Sequence, residues 1–125
     1  MNASNIATAV IQIPRTFGNL GNVSIFSLLK GTGYFEMHDQ VSEAEIHEAL
    51  IRQPECVDDW MLYSDDKRSS EGWYLKQGNG SSYTVGFYTG KASDNRQIQY
   101  SDRLDACAAF IKHEIEVIRR PKMIM

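Results

Sequence analysis

Three histidines, two cysteines and a dense run of carboxylates are the groups in this chain with the chemistry to act on a ligand. Catalysis by histidine needs a nucleophile, a second base or a metal in recognisable company. His38 lies in an acidic loop, His47 is followed by Glu48, and His113 is followed by Glu114. Neither His-Glu pair has a second histidine four residues after the first, so the zinc-protease pattern is missing. Surface or half-buried structural roles account for all three, and an enzyme pairing His47 or His113 with a nearby carboxylate stands as a rival. Cys56 and Cys107 belong to no Cys-x-x-Cys or Cys/His spacing and read as structural thiols. The segments Gly18-Asn19-Leu20-Gly21 and Gly78-Asn79-Gly80 match neither a phosphate loop nor a dinucleotide fingerprint, and turn formation explains them better. The expectation is therefore a non-enzyme with no catalytic residue, no cofactor and no metal.

The carboxylates are unevenly placed. Between Glu36 and Asp66 there are ten of them (Glu36, Asp39, Glu43, Glu45, Glu48, Glu55, Asp58, Asp59, Asp65, Asp66) against the single cation Arg52, a local charge of −9 in a chain whose total is −3. A field of that sign attracts cationic partners and repels nucleic acid and anionic membranes. The first expectation is a basic protein as ligand, with solvated helix faces and first turns as the plainer account of any single acid. Direct nucleic-acid binding is disfavoured further because the basic residues are scattered.

At 125 residues and 42% hydrophobic content, the chain can bury one core, so a single domain over 1–125 is expected. It has no run of 18 apolar residues and, at the N-terminus, neither the positive nor the apolar region of a secretory signal. A cytoplasmic protein away from membranes is the default expectation.

The elements that must position the acids are read from periodicity. Residues 1–20 form an N-terminal arm, strand-forming or flexible, in which Ile6 to Ile13 is apolar and Pro14 ends the run. From Val23 to about Lys30 a short helix is expected, capped by Asn22 or Ser24. The next helix has a sharper signature: Ser42 and Glu45 make a capping box, Val41 can staple against Ile46, and Pro54 closes it. Beyond Pro54 the pattern shifts toward a period of two. Trp60–Tyr63, Gly72–Leu75, Tyr83–Tyr88 and Gln97–Tyr100 read as four consecutive strands, with Gly78-Asn79-Gly80-Ser81 making a tight hairpin between the second and third. The last element is a long helix capped by Asp102, with Asp105 in its first turn, Arg119 and Arg120 in its last, and an apolar stripe through Leu104, Cys107, Ala108, Ile111, Ile115 and Ile118. The predicted architecture is α+β: a four-stranded antiparallel meander, two N-terminal helices, and a long C-terminal helix packed on one face.

Alternation sorts the strands into two faces. Trp73 and Leu75 share one, as do Tyr83, Val85 and Phe87, and these should meet the C-terminal helix. Tyr74, Lys76, Thr84 and Tyr88 fall on the other. Tyrosines on an uncovered face are good anchors for a protein partner, and the N-terminal arm lying over them is the competing account. The candidate partner-binding residues are accordingly Asp58, Asp59, Asp65, Asp66 and Glu71 for charge and Tyr74 and Tyr88 for buried area.

The block Asp58-Asp59-Trp60-Met61-Leu62-Tyr63-Ser64-Asp65-Asp66-Lys67-Arg68, followed by Gly72-Trp73-Tyr74-Leu75, the Asn79-Gly80 turn, Tyr83-Thr84-Val85-Gly86-Phe87-Tyr88 and the helix from Leu104 to Arg119, resembles immunity proteins of bacterial contact-dependent growth inhibition and related polymorphic toxin systems. What the resemblance implies is a small cytoplasmic protein that binds the toxic C-terminal domain of a cognate effector, often a nuclease acting on tRNA or DNA, and occludes its active site. No contact residue is transferred by it. An adaptor or regulatory protein-binding module without a toxin partner is the alternative.

Overall fold

A computed structural model describes residues 2–20, 24–66, 72–78, 82–88 and 96–120. Within them the chain is α+β, with seven helices and a three-stranded antiparallel sheet.

The first 20 residues depart from the predicted arm. They form α1 (Ala3–Ile11) and α2 (Ile13–Leu20). Asn2 caps α1 by accepting the Asn5 amide at 2.8 Å, and Ile6, Ala7, Val10 and Ile11 form a buried stripe at helical spacing. Pro14 explains the break between the two helices. It has no N–H to continue α1, yet it sits comfortably in the first turn of α2, where that donor is not needed.

α3 (Ile25–Gly31) starts at Ser24, whose hydroxyl accepts the Ser27 amide. Gly33, at φ 91°, then turns the chain into the four-residue α4 (Tyr34–Met37), a conformation that favours glycine. The capping box predicted for α5 (Glu43–Arg52) is present, with the Ser42 amide donating to Glu45 Oε1 at 2.9 Å, and Val41 and Ile46 are both fully buried.

The largest correction concerns the predicted first strand. Residues Cys56–Asp66 are a helix, α6, so the sheet has three strands in the described residues rather than four. Cys56, Val57, Trp60 and Ser64 are its buried residues, and their spacing has the period of a helix, not a strand. Asp58 and Asp59 in the first turn suit the positive end of a helix dipole.

β1 (Gly72–Gln77), β2 (Tyr83–Tyr88) and β3 (Arg96–Tyr100) form the predicted meander in the order β1-β2-β3. Trp73 faces Phe87, and Leu75 faces Val85, which faces Ile98. The outer edge of β1 is not left open, because Ser64 Oγ accepts the Leu75 amide at 2.7 Å and ties α6 along it.

α7 (Arg103–Arg119) is the central element, capped by Asp102 through the Leu104 amide at 2.7 Å. It packs against α5 on one side and the sheet on the other, which is why Ala106 through Ile111 are buried without interruption. Trp73 lies flat on His113 of this helix, with ring centres 3.9 Å apart. The apolar face of the sheet thus meets the C-terminal helix as its alternation predicts. The fully buried Trp60 closes the core from α6, donating its indole N–H to the carbonyl of Ile11 at 3.0 Å.

Candidate protein-docking face

The acids of α6 divide according to which side of the helix they occupy. At 100° per residue, Asp58, Leu62 and Asp65 fall within about 60° of one another, opposite the buried side. All three are exposed, and Glu55 is exposed immediately before the helix. Asp59 lies round toward α2, where Arg15 Nε approaches its Oδ2 at 3.1 Å and leaves the side chain only 21% exposed. That contact pairs two charges without hydrogen-bond alignment.

The predicted site residues therefore have different surroundings. Asp58 is 71% exposed, and Arg103 reaches it from α7 at 3.5 Å while also donating to the carbonyl of Pro54 at 3.4 Å. Asp65 is exposed and makes no ion pair with any described residue. The side chains of Asp66 and Tyr88 lie outside the described set, as does the whole of Glu71. Tyr74 is half-buried on the sheet face away from α7. Its hydroxyl accepts Gln97 Nε2 at 2.9 Å across the position of Gly86, and Lys76 Nζ sits 5.7 Å from its ring centre. The missing side chain of Gly86 leaves room for a residue on β1 to reach one on β3. Tyr74 is thus engaged within the sheet rather than standing free of it.

Other charges are tied up locally or along α7. Glu48 meets Arg52 at 3.9 Å, and Lys112 of α7 donates to the carbonyls of His38 and Val41 at 3.1 and 2.7 Å. The same lysine donates to the hydroxyl of the buried Tyr34 at 2.7 Å, and that hydroxyl donates to Glu116 Oε2. Arg119 grips Glu116 with two hydrogen bonds at 3.0 and 2.9 Å. Partial burial alone would raise the Glu116 pKa. The Arg119 and Tyr34 hydrogen bonds and the Lys112 charge outweigh it and bring the carboxyl down to about 2. Burial holds the Lys112 ammonium below its ordinary value and pushes the Tyr34 phenol well above its own.

The histidines supply one arrangement worth weighing as chemistry. His47 Nε2 lies 2.8 Å from Asp105 Oδ1, beside a shallow, open hollow of about 370 Å³ lined by Glu43, Ala44, His47, Glu48, Asp105 and Ala108. The imidazole is close to the carboxylate but not aligned for a hydrogen bond, and the lining offers no hydroxyl or thiol for it to activate. His113 is occupied by its stacking on Trp73, and burial lowers its pKa. Cys56 and Cys107 are free, fully buried thiols, both pushed up by burial and so poorly reactive. Among the described residues, no group of three or more His, Cys, Asp or Glu side chains converges as a metal site. None of their helices is long and apolar enough to cross a membrane.

Sequence reasoning did not single out Leu62. Placed in a strand, it reads as one of a run of apolar residues, and only the helical assignment turns it outward between two aspartates. Comparison with family models, with curated proteins and with solved structures finds no match to this chain.

Proposed function

We propose that this chain is a non-enzymatic inhibitor of the immunity type, which binds a cognate toxin domain, a basic nuclease, and occludes its active site. The observation that carries this reading is the outward stripe of α6, where Asp58 and Asp65 are displayed on a helix anchored to the core by Trp60 and to the sheet by Ser64. A rigid, negatively charged helix face suits a cationic groove. It would speed encounter and occupy the place of the groove's polyanionic substrate. Internal pairing withdraws Asp59 from this role and reduces that of Asp58, which leaves Glu55 and Asp65 as exposed acids with no ion pair among the described residues.

Co-expression with the C-terminal domain of a large effector, should an adjoining upstream reading frame encode one, tests the proposal. Growth should be restored, and the purified pair should bind with an affinity that falls as salt rises. Toxicity that persists at equal expression would reject the immunity reading. Binding without protection would favour the adaptor alternative.

A further inference from the structure

Charge alone leaves the centre of the α6 stripe unexplained. Leu62 is 65% exposed, more than any other large apolar side chain in the described residues, and it lies on the side of the helix away from Cys56, Val57, Trp60 and Ser64. It adds nothing to the core. Asp58 lies four residues before it and Asp65 three after, so an apolar side chain is bracketed by carboxylates spread over about 10 Å of helix axis.

We infer that Leu62 is the anchor of the interface proposed above, and that the partner protein presents an apolar recess flanked by two Lys or Arg side chains about 10 Å apart. The inference rests on that functional reading and adds the chemistry of the surface that must meet it. Charge complementarity selects the occupant: Asp65 has no cation among the described residues, and Asp58 stays largely in solvent beside Arg103. A leucine buried at the centre of a contact contributes through desolvation, while the acids round it steer approach and reject a like-charged surface. A polyanion would meet two carboxylates and gain nothing from the leucine.

Binding of the purified upstream-encoded toxin domain is to be measured for the wild-type chain and for Leu62→Ala, Leu62→Lys, Asp65→Lys and Ile51→Ala. The last is a control, removing an apolar side chain that is 52% exposed on α5 and outside the stripe. Leu62→Ala should weaken binding about 10- to 30-fold, mainly by faster dissociation. Leu62→Lys, which sets a cation against the partner's cations, should weaken it more, and Ile51→Ala should leave it unchanged. Asp65→Lys should slow association and flatten the salt dependence. Unchanged melting temperatures would exclude misfolding as the cause. Wild-type binding with Leu62→Ala equally tight would overturn the anchor and leave the inhibitor reading intact, whereas absence of wild-type binding would overturn both. A wild-type dimer in sedimentation that Leu62→Lys dissociates would assign the face to a second copy of this chain and overturn the inference.

Discussion

Glu116 on α7 and Asp65 on α6 are both helix carboxylates, and the molecule treats them in opposite ways. Glu116 is surrounded by Lys112, Arg119, Arg120 and the Tyr34 hydroxyl, so its charge fastens the α4 region to α7. Asp65 faces solvent with no ion-pair partner among the described residues. A carboxylate's contribution to folding is set by the number and burial of its partners, not by the local density of acids. The helix acids should therefore separate into those whose removal lowers stability and those whose removal alters only what the protein binds.

Replacing Glu116 with Ala should have the largest effect, lowering stability in urea denaturation by about 2–3 kcal/mol, because three cations and a buried phenol lose their common acceptor. A loss below about 0.5 kcal/mol would dissolve the contrast with Asp65. Acid should act through the same group. The folded-state pKa of Glu116 lies near 2, below its ordinary 4.5, so its contribution is complete above about pH 4.5 and is lost as pH falls toward 2. Stability measured down through that window should fall further in wild type than in Glu116→Gln, by about 1–2 kcal/mol once solvent screening is allowed for.

Asp59→Ala comes next. The pair with Arg15 is partly shielded but poorly aligned, so about 0.5–1 kcal/mol is expected. The smallest change in stability belongs to Asp65→Asn, within about 0.5 kcal/mol. The same variant should slow association with the proposed toxin partner and weaken its salt dependence, and a large stability loss there would return Asp65 to the structural class.

The elements differ in how clearly they could be read. α5 and α7 carry their instructions locally: Ser42 with Glu45, and Asp102 with the stripe from Leu104 onward, mark helices whose caps the structure reproduces. In α6 the four apolar residues Trp60-Met61-Leu62-Tyr63 come without a break, and such a run has neither the period of a strand nor that of a helix. Burial outside the run decides it, since Cys56, Val57 and Ser64 complete a helical face that packs on α2, α7 and the edge of β1. The N-terminal arm is obscured in the same way, because Pro14, a helix breaker by type, serves as a first-turn residue of α2. Of the candidate site, the presence of Asp58 and Asp65 at an exposed acidic surface was legible. The identity of Leu62 and the pairing of Asp59 were not.

Composition and spacing established the charge excess, the capped helices and the alternating faces of the three strands, because each depends on neighbours within a few residues or on alternation along one strand. Folding set how much of that charge stays available. Arg15 and Arg103, each more than 40 residues from its aspartate in the chain, reach α6 only because α2 and α7 pack beside it. Local pattern carries no record of such meetings, since an ion pair depends on a separation in space that the packing of the whole core determines.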